Sequence, residues 1–379
     1  MSLETQTGKT SYLIPSRGAV NFFCVTLFGS TLMIGLFLIS PSLGPVVLTR
    51  TVYPPRLVNT SESPIRVHYV NRPPWISMDI FSKCGHKCYM TAGGGNSYSD
   101  SEVVVFHTPY VKEKHPPKKI GQIWVFHSLE PPWLHWCKFN NWKRKFNWTI
   151  SYRRDSDILY AYGGFKTRNI NQSAWDNETS QFSEKWLKKS KDIAWMVSHC
   201  GTPSKRDDYV NILKNMTMVD IYGKCGNKKC HRDKTEECLK PYKFYLSFEN
   251  ELCEDYITEK SFKMYNSLLG PIPISRGGSN YSMYLPPGSY IDASKFKHIS
   301  HLKAYVDSVS RNITKVKEYM SWRKHYKIYV DHSIPFCELC RRLHLKDKDK
   351  YKRMYEDIGE WHRGDKSKRK SCREPQDLL

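Results

Sequence analysis

An acid–lysine pair, Glu259 and Lys260, stands in the first turn of a predicted helix. The alternating apolar run from Phe244 to Phe248 predicts a half-buried strand before it, and Thr258 is a good N-cap residue for the helix. A helix N-terminus presents free N–H groups and a positive dipole end, to which Lys260 adds a full charge. The pattern favours a phosphate-bearing ligand. The ordinary alternative for Glu259 is compensation of the helix dipole, which needs no ligand.

Glu130 and Arg206 also follow predicted strands, Ile123–Phe126 and Ile193–Val197. Strand ends in α/β folds face the ligand crevice. A carboxylate in that place could act as a general base, and an arginine that opens a helix could bind phosphate oxygens through two nitrogens. Taken alone, each residue could equally be an ordinary exposed charge.

The segment Asp155-Ser156-Asp157 has the spacing of a metal site, because two carboxylates can hold a divalent cation under a diphosphate. Arg153 and Arg154 directly precede it. An ion-pair cluster of structural value is the alternative, and the adjacent cations favour it.

Several longer stretches resemble the alpha-1,3-fucosyltransferase family. They are Phe-Glu-Asn at 248–250 followed by Asp-Tyr-Ile-Thr-Glu-Lys at 255–260, and the segments 271–278, 285–292, 121–131 and 146–158. The similarity covers about Ile120–Phe165 and Ile193–Leu343 in the right order. Several long matches in register are far more specific than one short motif. The loop around Gly277 and Gly278 is most similar to invertebrate members.

The resemblance implies a role for each candidate residue. Glu130 becomes the catalytic base on the acceptor side, and Arg206 and Lys260 become ligands of the donor diphosphate. Asn250, Tyr256 and Glu259 become contacts of the donor nucleotide or fucose. The family uses GDP-fucose as donor substrate and needs no obligate cofactor, so a divalent metal is expected to be stimulatory at most. Glu251 stands where the family often has serine, and the sequence offers no physical account of it.

The cysteines indicate an oxidising compartment, since eleven of the twelve lie beyond residue 40. The pairs Cys84/Cys88 and Cys337/Cys340 could each be half of a zinc site, but disulfides are favoured. The resemblance implies a bridge between Cys337 and Cys340. The pairing of the other cysteines cannot be read from sequence.

The uncharged apolar run Ala19–Ile39 predicts a retained transmembrane anchor, because at 1.5 Å per residue it can cross a hydrocarbon core of about 30 Å. A cleaved signal peptide is the alternative. Lys9 and Arg17 before the run favour a cytosolic N-terminus, hence a single-pass type II protein of the Golgi membrane. Candidate N-glycosylation sites on the lumenal side are Asn59, Asn147, Asn171, Asn177, Asn215, Asn280 and Asn312.

The net charge of +22 could indicate nucleic-acid binding. Lysine and arginine are spread along the chain, however, without zinc-finger spacing, RNP-like motifs or a basic heptad region. We therefore predict no nucleic-acid partner and a basic surface that faces anionic membranes and acidic nucleotide sugars.

Strands alternate with helices of about ten residues, among them helices expected over Glu259–Leu269 and Thr314–Tyr326. This alternation predicts βαβ units and mostly parallel sheets. With the family resemblance, the fold prediction is α/β and GT-B-like: two Rossmann-like lobes with a cleft between them, preceded by one transmembrane helix. The expected divisions are a cytosolic tail (1–18), the anchor (19–39), a stem (40–64), an acceptor-side lobe (65–185), a GDP-fucose-binding lobe (186–343) and a basic extension (344–379).

The resemblance thus implies an inverting enzyme that moves L-fucose from GDP-fucose to N-acetylglucosamine of glycoprotein glycans. The alternatives are a transferase for another nucleotide sugar and a catalytically silent, membrane-anchored glycan-binding protein. The silent protein would have lost the base or the phosphate ligands, whereas Glu130, Arg206 and Lys260 are all present. Whether the acceptor is the glycan core or an antenna cannot be read from the sequence.

Overall fold

A computed structural model describes residues 63–94, 97–345, 353–365 and 369–378. These residues belong to one of the two units into which the chain divides, Leu43–Leu379. The predicted anchor, most of the stem and the sequon at Asn59 lie outside the described residues. Within the described ranges, no helix combines the length and the apolar character needed to cross a membrane.

The first part of the described chain forms a six-stranded, fully parallel sheet. Its strands are β1 (Ile65–Val70), β2 (Cys88–Ala92), β3 (Val103–His107), β4 (Ile123–Ser128), β5 (Trp148–Ser151) and β6 (Ile158–Leu159), in the order β2-β1-β3-β4-β5-β6. Every residue of β3, β4 and β5 is buried, as expected for central strands of a parallel sheet covered on both faces.

The rest of the chain builds a second α/β body and then returns to the first sheet. The elements are β7 (Gly164–Thr167), α1 (Gln172–Thr179), α2 (Phe182–Leu187), β8 (Lys191–Met196), α3 (Arg206–Lys214), β9 (Val219–Tyr222), α4 (Thr235–Leu239), β10 (Tyr242–Phe248), β11 (Leu252–Cys253), α5 (Glu259–Phe262), β12 (Ile272–Arg276), β13 (Ile291–Asp292), α6 (Ile299–Ser310), α7 (Ile313–Ser321), β14 (Tyr326–Tyr329), α8 (Ser333–Leu343), α9 (Ile358–Arg363), β15 (Gly364–Asp365), β16 (Arg369–Lys370) and β17 (Cys372–Arg373).

Five of these strands form the second parallel sheet, in the order β13-β12-β10-β8-β9. Its core joins apolar side chains of the strands to those of α3, α6 and α7. The prediction of parallel α/β sheets is therefore confirmed, and the arrangement is consistent with the GT-B-like class.

Two predicted helices are shorter in the structure. The helix expected over Glu259–Leu269 is α5, which ends at Phe262 and continues only as a 3₁₀ turn over Lys263–Tyr265. The buried Arg323 guanidinium donates to the carbonyls of Tyr265 and Ser267 at 2.8 and 2.6 Å, so these carbonyls do not need helical partners. The helix expected over Thr314–Tyr326 ends at Ser321, because Tyr326 starts β14.

The helix α8 packs in the core of the first sheet although it follows the second sheet in sequence. Phe336 and Leu339 are fully buried there against residues of β1, β3 and β4. The last helix, α9, joins the opposite core of the same sheet through Ile358. The C-terminal part of the chain therefore holds the first lobe as well as the second.

The predicted bridge between Cys337 and Cys340 is wrong. Cys337 pairs with Cys84, and Cys340 pairs with Cys88. The two cysteines of α8 lie one turn apart and face the segment 84–88, which offers partners at a matching spacing. Further disulfides join Cys200 to Cys225 and Cys230 to Cys238, and Cys137 is free and buried.

The C-terminal segment is fastened to the loop that follows β10. β17 pairs antiparallel with β11, and Cys372 forms a disulfide with Cys253. Farther on, Asp377 accepts two hydrogen bonds, of 2.7 and 2.6 Å, from the buried Arg276 guanidinium at the end of β12. The disulfide thus fastens the C-terminal segment to the loop after β10, and the ion pair fastens it to the end of the neighbouring strand β12.

The sequon residues differ in accessibility. Asn171, Asn177, Asn215, Asn280 and Asn312 are exposed. Asn147 is buried, its Oδ1 accepts from the Trp124 N–H at 2.9 Å, and its Nδ2 donates to the Arg353 carbonyl at 3.1 Å. A glycan on that nitrogen would displace a buried hydrogen bond, so the structure removes Asn147 from the candidate sites.

Candidate active site

The candidate site lies where the carboxyl ends of β4 and β10 lead into loops. Past β4 the Glu130 N–H donates to Ser128 Oγ at 3.0 Å, which turns the chain directly after the strand. The Tyr162 hydroxyl donates to the Leu129 carbonyl at 2.6 Å and holds the same turn. Glu130 is therefore presented by a rigid strand end rather than by a free loop.

Glu130 lies in the electrostatic field of the donor-side residues. Burial raises the pKa of its carboxyl from 4.5 to about 7, the Lys260 ammonium opposes that rise, and the Glu259 and Glu249 carboxylates add to it. A carboxylate with a pKa near neutrality is suited to accept a proton at physiological pH. The structure thus brings together Glu130 and Lys260, which lie far apart in sequence.

Lys260 is held by a network that the sequence analysis did not identify. Its Nζ donates to Glu249 Oε2 at 3.1 Å and to Thr258 Oγ1 at 2.8 Å, and Glu259 Oε1 lies 3.6 Å away. The Glu249 carboxylate is fully buried and also accepts from the Thr258 N–H at 2.9 Å. Although burial lowers the pKa of Lys260, Glu249 and Glu259 outweigh it and raise the pKa, so the ammonium stays charged.

Arg206 reaches the same region, where backbone carbonyls hold its guanidinium. Its two terminal nitrogens donate to the carbonyls of Phe248 and His199 at 2.9 and 2.8 Å, and its Nε is buried without a partner. The guanidinium is near enough to Lys260 to oppose the protonation of that residue. Arg206 therefore supplies positive charge at the site, and its hydrogen bond to the Phe248 carbonyl holds the start of the loop after β10. Further N–H groups of the guanidinium remain available to a ligand.

Several buried polar atoms of the elements that meet at the site have no hydrogen-bond partner among the described residues. They are Asn250 Oδ1, Arg206 Nε, Ser261 Oγ, Ser275 Oγ, Tyr152 Oη and Tyr281 Oη. Buried polar atoms are nearly always paired, so such a concentration at one place is typical of a site that a polar ligand completes. Two of the predicted donor ligands, Asn250 and Arg206, present an unpaired atom of this kind.

Aromatic rings pack together at the site, where residues that follow strands of the first sheet meet the loop after β10. Tyr256, another predicted donor contact, is 1% exposed, and its ring lies 4.9 Å from that of Tyr152. Tyr162 packs against Tyr256 with 6.4 Å between ring centroids. Tyr152 falls within the family-like segment 146–158, and that resemblance is the signal that could have identified it.

The pair Asp155 and Asp157 forms ion pairs rather than facing the site. Arg153 binds both oxygens of Asp155 at 2.8 and 2.7 Å. Arg353 lies 2.7 Å from Asp157, whose other oxygen accepts from Thr149 and Tyr355. These contacts support the interpretation of the segment as a structural ion-pair cluster rather than as a metal site.

Two other groups of potential metal ligands occur among the described residues. One contains Cys88, Cys340 and His344, and the other contains Glu251, Cys253 and Cys372. In both groups the two cysteines form a disulfide with each other, so their sulfurs are not thiolate ligands.

The chain matches two family models. They are Fucosyltransferase, N-terminal, over residues 63–163, and Glycosyltransferase family 10 (fucosyltransferase) C-term, over residues 186–361. The first match contains Glu130, and the second contains Arg206, Asn250, Tyr256, Glu259 and Lys260. The segment after residue 361, which carries Cys372 and Asp377, lies beyond both matches.

Several curated proteins are similar in sequence. Alpha-(1,3)-fucosyltransferase C of Drosophila melanogaster is 35% identical over 281 residues, which is 69% of this chain and 65% of that protein. Glycoprotein 3-alpha-L-fucosyltransferase A of the same organism is 30% identical over 76% of this chain and 57% of its own length. Alpha-(1,3)-fucosyltransferase fut-6 of Caenorhabditis elegans is 31% identical over 70% of this chain and 71% of its own length. The chain thus spans less than two thirds of both Drosophila proteins.

Solved structures share the fold. A crystal structure of alpha1,3-fucosyltransferase with GDP-fucose has a TM-score of 0.52 and 16% identity over 76% of this chain and 93% of that chain. A crystal structure with GDP has a TM-score of 0.53 over 77% of this chain. At this level of identity the likeness concerns the fold alone.

Proposed function

This chain belongs to glycosyltransferase family 10, the fucosyltransferases, as its resemblance predicted, and from that premise we propose that it transfers L-fucose from GDP-β-L-fucose. The acceptor is the 3-hydroxyl of N-acetylglucosamine in glycans of glycoproteins, and the anomeric configuration inverts. Similar proteins named for this linkage in two invertebrates support the proposal.

The observation that carries the proposal is the half-buried Glu130 carboxyl held at the end of β4, within reach of the charge of Lys260. The carboxyl has its pKa raised to about 7 by burial, so at neutral pH a substantial fraction of it can accept a proton. In the proposed reaction Glu130 takes the proton of the acceptor hydroxyl while the hydroxyl oxygen attacks the anomeric carbon of fucose. The bond from that carbon to the GDP oxygen breaks, and one displacement from the opposite face gives inversion.

Positive charge on the donor side stabilises the departing diphosphate. The Lys260 ammonium is kept charged by Glu249 and Glu259, and Arg206 adds a guanidinium beneath the site. The unpaired Oδ1 of Asn250, with Tyr256 and Glu259, is available to the nucleotide and the fucose. These groups bind and orient GDP-fucose, which is a substrate rather than a cofactor.

The direct test is a transfer assay on purified residues 65–379. GDP-fucose is compared with GDP-mannose and UDP-galactose as donor, and core and antennary N-glycans are compared as acceptors. We expect turnover with GDP-fucose alone and an α-linked product by NMR. Preference for another donor, or binding of GDP-fucose without transfer to either acceptor, would contradict the proposal.

We propose that no divalent metal is obligatory. Lys260, Arg206 and the backbone N–H groups at the start of α5 can offset the diphosphate charge. Transfer should persist in EDTA, with manganese giving stimulation at most. Complete loss on chelation and recovery with manganese would show the opposite.

We propose a Golgi location with type II topology, because Ala19–Ile39 is apolar and long enough for an anchor. Protease added to intact microsomes should leave the C-terminal body protected. Digestion of that body without detergent would contradict the topology.

A further inference from the structure

Exposed aromatic side chains gather at one edge of the first sheet. Among the described residues five aromatics are largely exposed: Trp75 (47%), Tyr89 (48%), Tyr110 (55%), Trp133 (44%) and Trp136 (79%). Four of them lie past the carboxyl ends of strands, one after β1, one after β3 and two after β4; Tyr89 alone is in a strand, β2. Exposed indole surface is unfavourable in water, so its concentration at one edge marks a binding surface.

We call Trp75, Tyr110, Trp133 and Trp136 the aromatic rim. Ring contacts connect most of it: the Tyr110 ring lies 5.6 Å from that of Trp136 and 5.4 Å from that of His107. His107 in turn lies 5.5 Å from His127, which is 6.2 Å from Trp75. Ring contacts through His107 and His127 therefore connect Trp75, Tyr110 and Trp136, and Trp133 precedes Trp136 by three residues in the loop after β4.

Hydrogen bonds fix the rim beside the candidate site. The Trp133 N–H donates to Glu251 Oε2 on the loop after β10 at 3.1 Å, and the Trp136 N–H donates to the Pro109 carbonyl at 3.5 Å. Trp133 and Trp136 follow Glu130 by three and six residues, so their backbones are within roughly 10 and 20 Å of it. That distance is of the order of one to four linked pyranose rings.

The chemistry of the rim fits a saccharide better than an apolar protein face. Among the described residues with exposed aliphatic or methionine side chains, Met78 belongs to the loops of the rim, and Val330 and Ile334 flank His332, whose ring lies 5.8 Å from that of Trp75. The others belong to segments outside these loops: Ile120, Leu187, Met216, Met218 and Met354. Tryptophan and tyrosine combine a flat apolar face with a polar tip. A pyranose likewise combines a face of C–H groups with an edge of hydroxyls.

We propose that the aromatic rim is the binding surface for the saccharide chain of the acceptor. Sugar rings beyond the reacting one pack their C–H faces on Trp133, Trp136 and Tyr110, and their hydroxyls meet solvent and the polar tips. The rim therefore selects an oligosaccharide over a monosaccharide. This inference rests on the proposed function, because it names the acceptor side of the same site.

The test is glycan binding by the full-length protein, independent of transfer. Saturation-transfer NMR measures the affinity for a free biantennary N-glycan ending in N-acetylglucosamine, with GDP present. Trp133→Ala and Trp136→Ala should each weaken binding about tenfold, the loss of one well-packed aromatic contact. Trp136→Phe should keep most of the affinity, and Tyr89→Ala, equally exposed on β2, is the matched control. GDP affinity and the melting temperature should not change.

The outcomes separate this inference from the proposed function. Unchanged glycan affinity in both tryptophan variants, or a wild-type protein that does not bind the glycan, would overturn the rim. If fucose transfer fails but the tryptophan variants weaken glycan binding, the result would support the rim as a glycan-binding surface and contradict the proposed reaction. If transfer proceeds and the variants bind the glycan as tightly as the wild type, the result would support the proposed reaction and contradict the role of the rim.

Discussion

At the scale of single residues, the chemistry depends on where a charged side chain is buried. Glu130 is half-buried and Glu249 is fully buried, and the charge of Lys260 acts on both, but their surroundings differ. Glu249 accepts hydrogen bonds from Thr258 and Lys260 on both oxygens, so its charge is used to hold the lysine. For Glu130, no side-chain hydrogen bond is recorded within the described residues, and its oxygens remain available to a substrate hydroxyl.

Replacing Glu130 by glutamine should abolish transfer and leave GDP binding nearly intact. Glutamine keeps the shape but cannot accept a proton at neutral pH, and removal of a general base costs about 10²–10⁴ in rate. Transfer rate and GDP affinity are measured on the same preparation. Retained turnover would assign the base to another carboxylate, whereas loss of both properties would mean that Glu130 supports the fold.

The pH dependence follows from the raised pKa of Glu130. The base must be unprotonated, so kcat/KM should rise with pH, fall about tenfold per unit well below 7, and level off above it. The measurement is kcat/KM for the acceptor between pH 5 and 9 at saturating GDP-fucose. A profile that is flat down to pH 5 would place the base pKa at its ordinary value and contradict the assignment.

Lys260→Ala should lower kcat/KM by about 10²–10³, since a charge contact to a leaving diphosphate contributes about 2–4 kcal/mol in the transition state. The exposed Lys263, three residues farther on, gives the control variant Lys263→Ala. Lys260→Ala also leaves the buried Glu249 without its cation. The double variant Lys260→Ala/Glu249→Gln therefore distinguishes loss of the catalytic charge from loss of the folded structure. A near-normal kcat/KM in the single variant would show that Lys260 does not stabilise the departing diphosphate.

At the scale of elements, a contact between two loops aligns the base with the donor side. Glu251, where the family often has serine, accepts the N–H of Trp133 three residues beyond Glu130. Burial raises the pKa of the Glu251 carboxyl, the Trp133 N–H lowers it, and Glu374 raises it. The acid therefore joins the loop after β10 to the loop after β4, which accounts for a residue that the sequence left unexplained.

Glu251→Ala should lower kcat/KM for the acceptor about tenfold with little change in the KM for GDP-fucose. A hydrogen bond to a carboxylate contributes about 1.5–3 kcal/mol, part of which water can replace at this half-buried position. Glu251→Gln, which keeps an accepting oxygen, should recover most of the activity. Equal activity of the alanine and glutamine variants would show that the contact does not position the base loop.

At the scale of the whole molecule, disulfides connect parts of the chain that are distant in sequence. The pairs Cys84–Cys337 and Cys88–Cys340 span 253 and 252 residues and fasten α8 to the first sheet. The pair Cys253–Cys372 spans 119 residues and fastens the C-terminal segment to the donor-side loop. The first two bridges close nearly the same long loop, and the third closes another, so together they restrict the unfolded chain.

Removing the Cys84–Cys337 and Cys88–Cys340 bridges together, with serine at all four positions, should lower the free energy of unfolding by about 3–5 kcal/mol. Both must be removed, because either bridge alone still closes nearly the same loop. The control is the same change at Cys230–Cys238, which closes a separation of only 8 residues and should cost less, about 2–3 kcal/mol. Denaturant unfolding of both variants makes the comparison. A larger loss at Cys230–Cys238 would contradict the loop-length argument.

The sequence by itself determined the elements that carry the site. Alternating or continuous apolar runs identified β4, β8 and β10, because burial on a parallel sheet imposes a local pattern. The family-like segments selected Glu130, Asn250, Tyr256, Glu259 and Lys260, since a motif ties a residue to the strand end or helix start that presents it. These predictions depend on neighbours within a few residues.

Only the tertiary structure decided which distant groups meet. The partners of Cys337 and Cys340 lie more than 250 residues away, and Glu251 contacts Trp133 across 118 residues of sequence. Likewise, the terminal nitrogens of Arg206 donate to the backbone carbonyl of Phe248, 42 residues away. No local periodicity encodes such contacts, because they depend on how two separately formed sheets bring their strand ends together.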